Sequence, residues 1–390
     1  MLEDMVSPGA SGSDRRVTAT PEAWKARAEY DERGGYLVTP AVAEGNLPGA
    51  EDALREQGLD PAEWRVTSVR KGRWQKYDGD WLESMRVNVV PAQSVVQDFD
   101  LEQLVAEVSK WRPAKAQRVT GGSSSYVHVG ADKQLGKKAS TGGTDQTVRR
   151  ILAGTELSVN RLSVLRKCGV TVGTVVLPEV GDHVEGNVSQ NGRLQSVGAA
   201  DLGQTEQVRL ARRLLLAQVK AFAPLVDRIV VPVVNGNHDE VTRQVIADPA
   251  DGWNVEIASA VQDACAENPA LAHVEFRFPA SGHQTLAVNI DGVMLGLFHG
   301  HQFSRDVVKY LDGQAGGQTA LGGCDLWISG HYHHFKALDY SERLWLQAPT
   351  VDPGSDWFRD RTGQNSKPGV LTLVMGGSVD PREFLGVIPL

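Results

Sequence analysis

No Cys-x-x-Cys pair occurs in the chain, and its three cysteines, Cys168, Cys265 and Cys324, are odd in number and far apart. Neither a disulfide framework nor a thiolate zinc site is indicated, and a reducing, cytoplasmic compartment is the natural expectation. No apolar run is long enough to span a bilayer, so no membrane partner is expected. Met1 to Thr20 lacks the apolar core of a signal peptide and is rich in Gly, Ser and Asp, so residues 1–20 are expected to be a disordered tail. An excess of positive charge is also missing. The formal net charge is -8 at pH 7, which argues against a basic nucleic-acid coat while leaving room for a local basic face. Internal repeats are absent, and nothing beyond the tail is of low complexity.

What is present fits one large domain and a small one. The chain has 390 residues, of which 41% are apolar, enough for a real core. Residues 21–119 read as a small α+β module. Glu51 to Gln57 is helix-prone and closed by Gly58. Trp64 to Lys76 and Leu82 to Val90 alternate about an Asp78-Gly79 turn, the pattern of a β-hairpin. Its first strand carries Arg65, Arg70, Lys71, Arg73 and Lys76 between Trp64, Trp74 and Tyr77. Basic and aromatic residues on a ribbon can hold phosphates and stack bases; a solvated charged face over a small core is the simpler reading. A linking helix follows from Asp98 to Trp111, capped by Asp100. Thr120 to Ser125 reads as a linker, so the domain boundary is placed there.

Residues 120–390 change character. Strands alternate with helices: Tyr126–Ala131, a helix from Asp145 to Lys167, Thr171–Val180, a helix from Thr205 to Phe222, and Arg228–Val234. That is the signature of βαβ units, whose ligands gather at the carboxyl ends of the strands. Asp132, Asp182 and Asn237 all fall at such ends. The second half is richer in β: His273–Pro279, a hairpin Gln284–Ile290 and Val293–Phe298 about Asp291-Gly292, a helix near Ser304–Leu311, the buried strand Leu326–Ser329, a hairpin over Lys336–Leu346, and closing strands Gly369–Met375 and Phe384–Ile388.

Four motifs accumulate at the strand ends: Asp132-x-Gln134, Gly181-Asp-x-x-Glu185, Gly236-Asn-His-Asp239, and His299 with Gly330-His-x-His333. In this order and spacing they resemble the calcineurin-like metallophosphoesterase superfamily, over about Tyr126 to Leu390. The Asp-x-Gln-x-Gly-Lys variant with an N-terminal addition looks most like members encoded by phages of actinobacteria, for which the compartment would be the host cytoplasm. The resemblance implies an α/β fold, a four-layer αββα sandwich, and two divalent metal ions at the strand ends. Asp132 and His333 would hold one, Asn237, His299 and His331 the other, and Asp182 would bridge them. His238 would protonate the leaving oxygen and Glu185 would orient it through its carboxylate.

The chain departs from the family pattern twice. Gln134 stands where a histidine ligand is usual; its amide oxygen is a harder, weaker donor, which favours manganese or magnesium over zinc at the first metal, with iron or nickel also possible ions. Glu185 replaces an aspartate. Lys137 and Lys138 can hold a phosphodiester backbone or be merely solvated, and His301 and His334 can line the cleft. His183 is expected to face solvent, and His128 to be a strand residue with a satisfied hydrogen bond. Three functions stay open. One is a nuclease like the SbcD-type repair enzymes, with nucleic acid as partner. Another is a phosphatase or phosphodiesterase for a small nucleotide or phosphoprotein, with specificity set by loops such as Asn187–Asp201 and Val351–Ser366, where Trp357, Arg359 and Arg361 sit. The third is a non-catalytic scaffold. A homodimer is compatible with all three.

Overall fold

The computed structural model describes residues 26–31, 34–76, 79–91, 101–113, 123–187, 200–242, 248–304, 306–363 and 365–390. The tail 1–20, Tyr77 and Asp78 of the hairpin turn, the Asp100 cap, Thr120–Gly122 and most of the Asn187–Asp201 loop lie outside these residues. The chain divides into two compact units, residues 1–89 and 90–390. Among the described residues, no helix is long and apolar enough to cross a membrane.

The first unit is a five-stranded sheet with one helix. Its elements are β1 (Arg27–Asp31), β2 (Gly34–Val38), β3 (Val42–Ala43), α1 (Ala50–Glu56), β4 (Trp64–Gln75) and β5 (Trp81–Pro91). The strand order is β1-β2-β5-β3, with β4 also paired to β5. Leu37, Leu54, Met85, Val87 and Val89 form its core. Trp64 and Val66 of β4 pack against that core, and alternation then sorts the basic residues. Arg70 and Lys76 share the face of Trp64, whereas Arg65, Lys71 and Arg73 share the opposite one. Arg73 pairs with Glu44 at 2.7 Å and lies over the Trp81 ring. The basic stripe of the sequence is therefore split between two faces.

The helix α2 (Leu101–Lys110) belongs with the second unit. Val108 is fully buried in that unit's core, and Asn268 Nδ2 donates to the carbonyls of Val108 and Trp111 at 2.5 and 2.9 Å. The division thus falls ahead of the helix and not at the Thr120–Ser125 linker, whose last residues already begin a strand.

Two mixed sheets make up the second unit. One is six-stranded, in the order β16-β15-β6-β7-β8-β9, and the other five-stranded, in the order β10-β11-β12-β14-β13. The first contains β6 (Ser124–His128), β7 (Val172–Val176), β8 (Arg228–Pro232), β9 (Val274–Arg277), β15 (Gly369–Met375) and β16 (Gly386–Pro389). The second contains β10 (Leu286–Ile290), β11 (Val293–Leu297), β12 (Leu326–Ser329), β13 (Lys336–Tyr340) and β14 (Arg343–Gln347). β6 to β9 run parallel, as do β11, β12 and β14. The Asp291-Gly292 turn is as expected. Ile290 pairs with Val293, and both turn residues have positive φ, 50° and 89°, which suits a two-residue hairpin.

Alternation along each strand builds the layers. Val127, Val176, Val230 and Leu373 of one sheet meet Leu295, Leu297, Ile328 and Leu346 of the other. On the outer face of the six-stranded sheet, Tyr126, Val175 and Ile229 pack against α3 (Thr144–Lys167), α4 (Gln204–Phe222) and α5 (Trp253–Ala266). On the outer face of the other sheet, Trp327, Trp345 and Phe298 pack against α6 (Val307–Gly316). The second unit is a four-layer αββα sandwich. α5 and the short α7 (Asp356–Thr362) were not anticipated from the sequence.

Candidate metal centre

A buried strand that crosses an apolar double sheet can present polar side chains only where it leaves the sheet. β6 leads to Asp132, β7 to Asp182, β8 to Asn237, β11 to His299, β12 to His331 and His333, and β14 to Asp352. The backbone there is strained. Asp132, Gln134, Asp182, His331 and His333 have positive φ, 47°, 40°, 55°, 71° and 61°. Each such non-glycine residue costs on the order of 1–3 kcal/mol and persists only where its surroundings over-determine it. Main-chain bonds do so here. Asp132 N donates to Gly181 O at 3.0 Å and Gln134 N to Asp182 O at 2.9 Å. His331 N donates to Asp132 Oδ2 at 2.8 Å, and Thr350 Oγ1 to Asp132 O at 2.7 Å. A Cβ on Gly236 would run into the Asp182 carboxylate, and one on Gly330 into that of Asp132, which is why these loops need glycine at both positions.

Asp239 staples the Asp182 loop to the Asn237 loop. Its Oδ2 accepts from Asp182 N and from Gly236 N, each at 2.7 Å. Asn254 at the start of α5 supports the same turn, its Nδ2 donating to Val234 O at 2.7 Å. Asp182 Oδ1 in turn accepts from His238 N at 2.7 Å.

The ligand atoms then face one another. His299 Nδ1 lies 2.8 Å from Val180 O, so Nδ1–H donates to that carbonyl and Nε2 keeps its lone pair for a cation. His299 Nε2 is 3.0 Å from Asp182 Oδ2 and 3.9 Å from Asp132 Oδ1. Asp132 Oδ1 and His299 Nε2 are both buried without a hydrogen bond. Among the described residues, Asp182, His299 and His331 form a group whose ligand atoms all lie within 4.8 Å of one another. Buried oxygen and imidazole donors that converge without hydrogen bonds suit a divalent cation, and carboxylate with imidazole accommodates manganese, zinc, iron, nickel or magnesium. The residues present fit such an ion.

The second cluster is different in kind. His333 Nε2 is 3.4 Å from Asp132 Oδ1, and its Nδ1 is 3.3 Å from Asp352 Oδ2. The Lys137 ammonium bonds both Asp352 Oδ2 and Gln134 Oε1. Gln134 Nε2 faces His238 Nε2 at 3.3 Å.

The fields agree with this geometry. Burial disfavours charge on His333, but the carboxylates of Asp352 and Asp132 outweigh it and push its pKa up to about 10. Burial acts the same way on His299, where Asp182 and then Asp132 raise it to about 9. Burial and the His299 charge bring His331 down to about 4. Burial pushes the Asp352 carboxyl up, yet Lys137 and His333 hold it well below the usual carboxylate range. Lys137 shows the complement: burial lowers it, Asp352 and Glu185 raise it more, and it is a firm ammonium.

No protein-family model matches the chain, and no curated protein does. Solved structures with a similar course of chain do exist. They include an archaeal phosphodiesterase, 15% identical, covering 68% of this chain and 99% of its own at a TM-score of 0.31. Another is zinc-complexed Vps29 from Entamoeba histolytica, 15% identical, covering 68% and 98% at a TM-score of 0.30. A phosphoesterase-like protein of Streptococcus pneumoniae is 11% identical over 68% and 98%, with a TM-score of 0.30. Likeness at that level bears on no residue's role.

The residues expected from the motifs are brought together at this edge, with differences in detail. His238 Nδ1 bonds the main-chain oxygen of Glu185 at 2.7 Å, while the Glu185 carboxylate is 3.6 Å away; the ring's hydrogen bond goes to the carbonyl, with the acid farther off. His183 does not face solvent. It is 1% exposed and 3.0 Å from Glu179, which also takes the Lys133 ammonium at 2.6 Å. Lys137 is no solvated lysine, being tied to Gln134 and Asp352, whereas Lys138 is half-exposed. The His301 ring lies 5.5 Å from that of His299 and 6.2 Å from that of His331, so it lines the site. His334, next to His333 in sequence, is half-buried. His128 meets Gln218 at 3.0 Å through Nε2, as expected for a strand residue. Asp352 and Asp239 were missed as site residues. The only signal for Asp352 was its place just past a strand, before Pro353-Gly354.

Proposed function

We propose that this chain is a metal-dependent phosphoesterase of the calcineurin-like kind that hydrolyses phosphodiester bonds, with DNA as the substrate. The observation that carries the reading is the juxtaposition of the Asp182, His299 and His331 cluster with His238, whose Nε2 lies 3.9 Å from Asp182 Oδ2. Asp182, His299 and His331 would supply the donors for a divalent ion, and Asp132, Asn237 and His333 stand at the neighbouring strand ends. A bound divalent ion supplies an acidified water and charge for phosphoryl oxygens. The protein's own part is to hold the ester in line and to move one proton. The Nδ1 bond to the Glu185 carbonyl turns His238 so that Nε2 faces the site. In this arrangement Nε2 accepts from the Gln134 amide; once it takes up a proton and the amide turns aside, it delivers that proton to the leaving oxygen. His301 lines the site. The exposed basic residues of β4, Arg70 and Lys71 among them, support a nucleic-acid partner.

One observation favours a second reading, a smaller phosphoester substrate. The β4 charges are divided between faces, and Lys137 is already engaged. Incubation with manganese and labelled single- and double-stranded DNA, beside a nitrophenyl phosphodiester, separates the two. Cleavage of DNA supports the nuclease. Turnover of the small ester alone moves the substrate to the second reading, and no turnover of either overturns the enzymatic reading.

A further inference from the structure

A glutamine at a position expected to bind metal would serve as a weak ligand if its oxygen pointed at the ion. Here that oxygen is taken. Gln134 Oε1 accepts from the Lys137 ammonium, and the amide nitrogen faces His238 Nε2 at 3.3 Å. The orientation follows from hydrogen-bond chemistry, because an ammonium has donors only and must meet an oxygen.

The same ammonium bonds Asp352 Oδ2, on a carboxylate that is itself 1% exposed. Asp352 also faces His333 Nδ1 at 3.3 Å, and His333 Nε2 faces Asp132 Oδ1 at 3.4 Å. One connected chain therefore runs Gln134, Lys137, Asp352, His333, Asp132. It occupies the half of the centre that Asp132, Gln134 and His333 would otherwise give to a second ion. In the other half, the ligand atoms of Asp182, His299 and His331 lie within 4.8 Å of one another.

We propose that this centre holds a single divalent ion, at Asp182, His299 and His331, and that the Lys137 ammonium permanently fills the second cation position. This rests on the reading of the chain as a metal-dependent phosphoesterase. Gln134 and Lys137 then form a pair. A histidine at residue 134 would offer a lone pair to a metal and nothing suited to an ammonium, whereas an amide oxygen suits the ammonium. Asp352 completes the pair by balancing the charge of the lysine. The ammonium has three N–H donors, enough to hold both acceptors and to present one to a phosphoryl oxygen. It acts there as a fixed point charge, the role lysine takes in many phosphate sites.

The test is metal stoichiometry, with no turnover needed. Full-length protein is stripped with chelator, dialysed against manganese and measured by elemental analysis, with manganese paramagnetic resonance on the same samples. The wild type should bind a single ion per chain and give the hyperfine pattern of an isolated centre. Lys137→Met should admit a second ion and give the exchange-coupled signal of a pair, and Lys137→Arg should stay at one. A wild type that binds a coupled pair overturns the inference and leaves the phosphoesterase reading intact. So does a folded Lys137→Met that still takes one ion. If Lys137→Met does not fold, the wild-type resonance decides alone. A wild type that binds no ion overturns both.

Discussion

Replacing Asp239 with alanine should unfasten two ligand loops at once. One carboxylate oxygen accepts two main-chain N–H groups, from Asp182 and Gly236, each at 2.7 Å. Asp239 is 0% and Asp182 1% exposed, so water does not replace the lost acceptor. An unpaired buried donor costs about 1–3 kcal/mol, and the pair together about 2–6 kcal/mol. Asp239→Asn keeps an oxygen that can accept both bonds and loses only charge assistance, roughly half the strength of each. Because the two units can melt separately, a single unfolding midpoint is a poor readout. Amide hydrogen exchange resolved by residue is better. In Asp239→Ala the amides of Asp182 and Gly236 should exchange about 10 to 100 times faster, and manganese affinity should fall because Asp182 loses its fixed position. Asp239→Asn should show a small part of both effects. Unchanged protection of these two amides in Asp239→Ala, with unchanged manganese affinity, would refute the staple.

His238→Asn should keep ion binding yet slow turnover by roughly two to four orders of magnitude, less for a nitrophenyl ester, whose leaving group needs no proton; elemental analysis beside kinetics on both ester types checks it. Asp182→Asn should instead lose the ion, as equilibrium dialysis would show, and lose activity for every leaving group. Glu185→Gln should reduce activity by no more than about tenfold, the low end for groups behind an active residue, since the bond to His238 comes from its carbonyl; a loss as large as that of His238→Asn would restore the carboxylate to the orienting role. Burial brings the pKa of His128 down to about 4 from the ordinary 6.5, so the unfolded chain binds a proton that the folded chain refuses between those values. Stability from this group is fully present above pH 6.5 and is lost as pH falls towards 4, by on the order of 3 kcal/mol in all. His128→Gln should flatten the acid limb of a stability-against-pH curve over that window, and an unchanged limb would exclude His128 as a source.

Much of this arrangement is legible in sequence because the inter-sheet strands are apolar runs stopped by glycine. β7, β8, β11 and β12 each end within a few residues of Asp182, Asn237, His299 and His331. Pattern alone also places α3, whose observed start at Thr144 lies one residue from the expected Asp145. The helix α5 escapes notice for a physical reason. Asn254, Ile257, Ala258, Val261, Ala264 and Cys265 are buried at helical spacing with Glu256, Gln262 and Asp263 exposed opposite them, but four of the helix's 14 residues are alanines, which weakens the apolar signal of the stripe. His183 is misread because its partner Glu179 precedes it in a loop, and a polar residue in a loop ordinarily faces water. Asp352 and Lys137 are illegible singly. Their meaning lies in a contact across the fold, between residues 215 positions apart, which no local pattern encodes.

The charge balance at the strand ends links the fold to its chemistry. The interior between the sheets is lined mainly by aliphatic side chains along β6, β7, β11 and β12, so it offers few polar partners to a carboxylate. Asp132, Asp182, Glu185 and Asp352 are nevertheless all at most 5% exposed. A buried carboxylate without a partner is expensive enough that it must be paired or bind a cation. Lys137 and His333 answer Asp352. Asp132 and Asp182 face His299, whose Nδ1–H is committed to Val180 O. The remaining negative charge thus lies beside Asp182. That is where a divalent ion would be held most strongly on the proposed reading, and the main chain of His238 is anchored there by its bond to Asp182 Oδ1. On the proposed reading, the carboxylate that would draw the cation also positions the proton donor, which would tie ion binding and proton delivery to one side chain.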